Sequence, residues 1–203
     1  MKVLTIDFDF IMSPCIKLYN SHCDGKENDR VNWEIIEREL NLDKFLCYDA
    51  EFLRKIALLI KRNVSGEHKA KFIPIKEHHE LIQLLPETTE KIDLLNVDFH
   101  HDIGYNWSAT CAEMSDFDKY TCANWVGYLQ LKGKLERYRW LKAPKSEMFM
   151  GNIECFNFEV LNHWDIDNVE ADFDYVFFCL SPNWVPYKFQ HLYDLLVDLF
   201  KEV

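Results

Sequence analysis

Leu94-Leu95-Asn96-Val97-Asp98-Phe99-His100-His101-Asp102 is the stretch whose reading decides the fold. Apolar and small residues lead into a carboxylate, an imidazole and a second carboxylate at two-residue spacing, the pattern of a buried strand that ends at a polar site. If the chain stays extended, Asp98, His100 and Asp102 lie on one side, and a bend just past the strand end still lets them converge. Crowded together without a cation, such groups repel and are costly to desolvate, whereas a divalent metal reverses the balance. D-F-H-H-D therefore reads as a metal site, against the plainer alternative of an acidic loop whose histidines are satisfied by neighbours.

A second segment shifts the balance toward metal. Val3-Leu4-Thr5-Ile6-Asp7-Phe8-Asp9-Phe10 reads as another β-branched and aromatic strand, with Asp7 and Asp9 on the same face. A third candidate follows Lys71-Phe72-Ile73-Pro74-Ile75, a short strand, where Glu77-His78-His79-Glu80 precede a helix beginning at Leu81. Histidines at such a strand-to-helix junction sit where open α/β sheets collect functional groups, although a surface pair at a helix start gives the same pattern.

The chain has 203 residues, 48% hydrophobic and 15% aromatic. That content suits one core, so residues 1–203 are expected to form a single domain. A formal net charge of −11 disfavours nucleic acid and anionic membranes, which need clustered Lys and Arg, and suits a cationic partner. No apolar run approaches the ~20 residues that span a bilayer, and no secretion signal is evident, so a cytoplasmic location is expected. The seven cysteines include no C-x-x-C pair and are read as reduced thiols.

Along the chain, Asn20 to Asn32 reads as an irregular surface excursion. Helical spacing then runs through Trp33, Ile36 and Leu40, and again from Phe45 through Ile60 to a stop at Gly66. Aromatic and acidic residues dominate Tyr105 to Tyr120, and a helix is expected around Thr121 to Leu129. Leu135 to Leu141 and Asp174 to Leu180 read as strands, the latter covered on both faces. A final helix from about Tyr187 to Phe200 is expected to turn Phe189, Leu192, Leu195, Leu196 and Leu199 inward. Strands alternating with helices predict a three-layer α/β/α domain around a mostly parallel sheet. Asp7, Asp9, His78, Asp98, His100 and Asp102 would then meet at one rim, too many ligands for one zinc ion and about right for two metal ions.

These residues carry a family resemblance. Asp98-Phe99-His100-His101-Asp102 resembles the D-x-H-x-D motif of the arginase (ureohydrolase) superfamily, Thr5 to Pro14 resembles its S-x-D-x-D-x-x-D-P motif, and Glu77-His78 resembles its acidic-His pair. The D-x-D motif here precedes the other two, the order of a circular permutation, and with Asn124-Trp125 and Ser181-Pro182 the chain most resembles the peptide arginases. The resemblance implies an arginase-like fold and a hydrolase that converts arginine residues of a ribosomally made precursor peptide to ornithine and urea. It implies two Mn²⁺ per chain, with Asp7 and Asp98 bridging, Asp9 and His100 on one ion, and His78 and Asp102 on the other. Catalytic roles are expected for Asp102 and, as proton carrier, His101, with His79 and His163 as the other candidates.

The residue that grips the guanidinium has no counterpart at Leu180-Ser181. Glu113, Asp116 or an acid within Asn20 to Asn32 is expected there, and Asn124 and Trp125 are further candidates for substrate contact. The competing reading is a hydrolase of a free guanidino metabolite or another amidine or amide, including a deacetylase-like enzyme on the same fold. The sequence leaves the oligomeric state open.

Overall fold

The computed structural model describes residues 1–12, 29–40, 47–67, 69–104, 120–144, 146 and 158–201. Six described strands form one all-parallel sheet: β1 (Lys2–Asp7), β2 (Lys71–Ile75), β3 (Ile92–Asp98), β4 (Leu135–Lys142), β5 (Glu159–Leu161) and β6 (Tyr175–Cys179). Their order across the sheet is β2-β6-β1-β3-β4-β5. Among the described residues five α-helices accompany them: α1 (Asp29–Leu40), α2 (Ala50–Val64), α3 (Leu81–Leu84), α4 (Trp125–Leu131) and α5 (Tyr187–Phe200). Helices cover both sides of the sheet, giving the three-layer α/β arrangement expected from the alternation of periods.

Strand alternation sorts the core into two halves. Leu4, Ile6, Leu95, Val97, Val176 and Phe178 pack with Phe52, Ile56 and Leu59 of α2 and with Leu196, Val197 and Phe200 of α5. Val3, Leu94, Tyr138, Trp140, Phe177 and Cys179 pack with Leu81 of α3 and with Trp125, Val126 and Leu129 of α4. The two halves follow from topology. From β1 the chain moves to the far edge at β2, whereas β2 to β3 and β3 to β4 step the other way, and right-handed crossovers in opposite directions place their helices on opposite faces. The direction of winding reverses at the carboxyl ends of β1 and β3, where such sheets open a crevice.

Local signals explain the ends of α2. Asp49 caps it, accepting from the amides of Glu51 at 2.9 Å and Phe52 at 3.2 Å, and Lys61 and Arg62 lie in its last turn. Its start at Ala50 leaves Phe45 outside the described residues. α4 approaches the chain after β3 so closely that a Cβ on Gly127 would lie 2.2 Å from the Ile103 carbonyl oxygen, so only glycine fits there.

Three expectations need correction. β1 ends at Asp7, and Phe8–Ile11 form a 3-10 turn, because the Asp7 side chain caps that turn by accepting from the Asp9 amide. Asp29–Asn32, read as part of an irregular excursion, begin α1; residues 20–28 lie outside the described part. The inner face of α5 carries Phe189, Leu192 and Leu196 as expected, together with Tyr193, Val197 and Phe200, whereas Leu195 and Leu199 are 62% and 60% exposed. Both sets have helical spacing, and the aromatic partners of Tyr193, Phe8 and Phe178, decide between them. Smaller shifts occur at Thr121–Asn124, a turn rather than helix, where the Asn124 side chain accepts from the Thr121 amide at 2.7 Å. Among the described residues no helix is long and apolar enough to cross a membrane.

Candidate metal centre

At the carboxyl ends of β1 and β3, four aspartates and two histidines are brought together in the interior. Asp98 is the last residue of β3 and Asp7 the last of β1; both point to the α3/α4 side by alternation. Asp9 reaches the cluster through the 3-10 turn, and its Oδ1 accepts from the Phe99 amide at 3.4 Å. His78 opens the 3-10 turn after β2, as its strand-to-helix position leads one to expect. His100 and Asp102 follow directly after β3. None of the six is more than 7% exposed.

The ligand-type atoms converge in two adjoining groups, Asp9-Asp98-His100 and His78-Asp98-Asp102, joined by Asp98. His78 Nδ1 lies 3.3 Å from Asp7 Oδ2, 3.2 Å from Asp98 Oδ2 and 3.2 Å from Asp102 Oδ2. It makes no hydrogen bond to any of them. His100 Nδ1 lies 3.1 Å from Asp9 Oδ2 and 3.7 Å from Asp98 Oδ1. The two oxygens of Asp98 thus look toward different rings.

Neighbours fix four of these side chains. His78 Nε2 is 2.6 Å from Thr5 Oγ1. Asp7 Oδ1 accepts from the Asp9 amide at 3.1 Å, and its Oδ2 accepts from the Ser181 hydroxyl. Asp98 accepts from the His100 amide at 2.8 Å and from Asn96 Nδ2 at 3.1 Å, while Asn96 Nδ2 also lies 3.3 Å from the Tyr138 hydroxyl. Trp125 Nε1 donates to Asp102 Oδ2 at 2.6 Å. Among described non-glycine residues only Asp102 (φ 51°) and Ser181 (φ 48°) have left-handed backbone, and both touch this cluster. Strain of that kind, on the order of 1–3 kcal/mol each, persists where surrounding contacts fix it. For Asp102 these are the Trp125 bond and the Val126 amide, which donates to its carbonyl at 3.1 Å.

The electrostatics of the cluster would suit a bound cation. Even with both rings protonated, four buried carboxylates leave an excess of negative charge, which the interior does not tolerate. Without metal, protons make up the difference. Burial, with Asp7 and Asp98 beside it, pushes the Asp9 carboxyl well above the ordinary range, and burial with Asp98 pushes Asp102 up to about 6. Burial would lower His78 and His100, but the acidic groups around each hold both rings well above the usual histidine value. Burial would likewise raise Asp98; the His100 and His78 rings beside it override this and hold it below the usual carboxylate range. The oxygen-rich donor set with two imidazoles fits one or more divalent ions.

The other candidates are placed as follows. His101 is buried; its Nδ1 accepts from the Ile103 amide at 3.1 Å and its ring meets Trp140 edge-on at 5.8 Å. His79 is partly buried, 6.1 Å from the Tyr120 ring. His163 packs on Phe52, on the α2 side. Asn124 serves the turn before α4, and Trp125 is buried beside His78, ring centroids 5.0 Å apart. Glu113 and Asp116 lie outside the described residues.

Sequence reasoning passed over Thr5, Asn96, Ser181 and Cys179 as members of the site. The first two carried a signal, each a polar residue two positions before a ligand aspartate in an otherwise apolar strand. Comparison of the chain with family models, curated proteins and solved structures produced no match in any of the three.

Proposed function

We propose that the chain is a binuclear manganese hydrolase that converts arginine residues of a ribosomally made precursor peptide to ornithine, releasing urea. One observation carries the metal part of this reading: a buried imidazole nitrogen faces one oxygen from each of three aspartates at 3.2–3.3 Å, and the shared Asp98 links it to a second Asp–His group. The guanidine part draws its support from the D-x-D, E-H and D-x-H-x-D set described above.

Asp9 and His100 would hold one ion, His78 and Asp102 the other, with Asp7 and Asp98 between them. When bound, such a pair supplies hydroxide at neutral pH by lowering the pKa of water, and polarises the group under attack. In the net reaction, water adds to the guanidinium carbon, the bond from that carbon to the side-chain nitrogen breaks, and that nitrogen leaves with a proton as the ornithine amine. The protein's part is to fix the donor atoms and handle the proton. Thr5 sets the orientation of His78, and Trp125 that of Asp102. His101 accepts at Nδ1, so its neutral form carries the proton on Nε2, and it remains the proposed carrier. Trp184, half-buried with its ring 4.5 Å from that of His100, offers an aromatic wall to a guanidinium or an extended chain.

The test is incubation of manganese-loaded and metal-stripped protein with arginine-containing peptides, read by urea release and peptide mass. The expected result is metal-dependent conversion of peptidyl arginine to ornithine, with kcat/KM above that for free arginine. Faster turnover of free arginine than of every peptide tried would favour the free guanidino metabolite as substrate. Absence of urea from both would overturn the arginase reading, and a stoichiometry below two ions per chain would overturn the binuclear one.

A further inference from the structure

Beside the two groups already described lies a third, in which Asp7, His78 and Cys179 each offer a ligand atom, all within 4.8 Å of one another. Register explains the meeting. Cys179, the last residue of β6, is the Cα partner of Asp7, the last residue of β1, so their side chains leave the sheet side by side on the same face. Cys179 is fully buried, Asp7 3% exposed and His78 2%. The thiol donates to the Lys76 carbonyl at 3.5 Å and lies 3.3 Å from Ser181 Oγ. Thiol hydrogen bonds are weak, so coordination would sacrifice little. Within this group His78 Nδ1 is buried, without a hydrogen bond, and 3.3 Å from Asp7 Oδ2.

We propose that Cys179 is a ligand of the ion held by Asp7 and His78, so that the two ion positions differ in kind. This rests on the metal centre proposed above and adds a sulfur to one side of it. The Asp9-Asp98-His100 position offers only oxygen and nitrogen and suits a hard ion such as manganese. The Asp7-His78-Cys179 position adds a thiolate, which favours softer ions such as zinc, cobalt or cadmium. On binding, the ion–sulfur bond replaces the S–H bond and the proton leaves to solvent, so no oxidant or reductant is involved.

Cobalt(II) and cadmium(II) are the probes. Stripped protein loaded with cobalt should show a near-ultraviolet sulfur-to-cobalt charge-transfer absorption in addition to visible ligand-field bands. Cys179→Ser should lose the first and keep the second. In equilibrium dialysis Cys179→Ser should hold cadmium at least about tenfold more weakly, with a smaller change for manganese. Cys179→Ala, which lacks any oxygen donor, should reproduce the cadmium loss if serine perturbs folding, with circular dichroism as the control. Charge transfer that is absent from the wild type, or that persists in Cys179→Ser, overturns the proposal, as does an equal loss of manganese and cadmium. Cobalt bound without charge transfer removes only the thiolate and leaves the binuclear reading standing; no cobalt bound at all removes both.

Discussion

On β1, Leu4 and Ile6 enter the core shared with α2 and α5, while Val3, Thr5 and Asp7 face the other way; on β3, Leu95 and Val97 oppose Asn96 and Asp98 in the same manner. One side of these strands is hydrocarbon and aromatic to its end, with Phe8, Phe178 and Tyr193 in edge and stacked contact. The other turns polar before the strand finishes, through Thr5 to His78 and through Asn96 to Asp98 and Tyr138. Hydrocarbon packing depends on volume and fails by degrees, whereas a buried polar network depends on every member being paired. Stability and metal binding should therefore be separable, one to each side.

The largest effect is expected on the polar side. Asp98→Ala removes the carboxylate that faces both rings, and should leave no measurable turnover and fewer than two ions per chain by metal analysis, with secondary structure retained; Asp7→Ala should behave alike. Near-normal turnover of either variant at limiting manganese would make these aspartates structural. Next comes the apolar side. Phe178→Ala empties a site between Phe8, Phe72 and Tyr193 and should cost about 3–5 kcal/mol by urea unfolding, while the protein that stays folded keeps its metal affinity. A large fall in affinity there would show that the two sides are coupled.

A smaller effect sharpens the contrast. Thr5→Val keeps the shape of β1 and deletes the hydroxyl beside His78 Nε2, and should weaken manganese binding about 10–100-fold with little loss of stability. Unchanged affinity would reduce Thr5 to a spacer. The smallest effect is on pH dependence. In metal-stripped protein His78 and His100 have raised pKa values, so their contribution to stability is complete below about 6.5 and is lost as pH rises through the folded values. Asp9 and Asp102, also raised, act with the same sign. Melting temperature of stripped protein should fall as pH rises above neutral, while manganese-loaded protein holds its own. Parallel curves would argue against a cation in the pocket.

Much of this arrangement is legible in the sequence, and the reasons are local. The strand β3 and its D-x-H-x-D ending follow from period two, and the junction at His78 from a short strand running into a helical pattern. The parallel sheet follows from alternating strands and helices. Asp9 is different: apolar alternation continues through Phe8 and Phe10, so the pattern reads as strand where the Asp7 side chain has already turned the backbone. On α5, Leu195 and Leu199 share the helical spacing of the buried residues, and the ring of Tyr193 selects the face that leaves these two outside. Cys179 beside Asp7 is a matter of register between strands far apart in the chain, which no local pattern reveals.

The central position of β1 also bears on how the chain reaches this fold. Its two neighbours lie far along the sequence, Val3 pairing with Leu94 on one side and Tyr175 on the other. Parallel pairing of such distant segments means that large loops close before contacts reward them, which slows folding. Until β6 arrives, one edge of β1, with its apolar Leu4 and Ile6, has no strand beside it and is open to pairing with other chains. Refolding yield should accordingly fall with protein concentration. The aspartates gather when β1 pairs with β3, but His78, carried by β2, joins them only when β6 docks between β2 and β1, so completion of the ion site should mark the end of folding rather than guide its start.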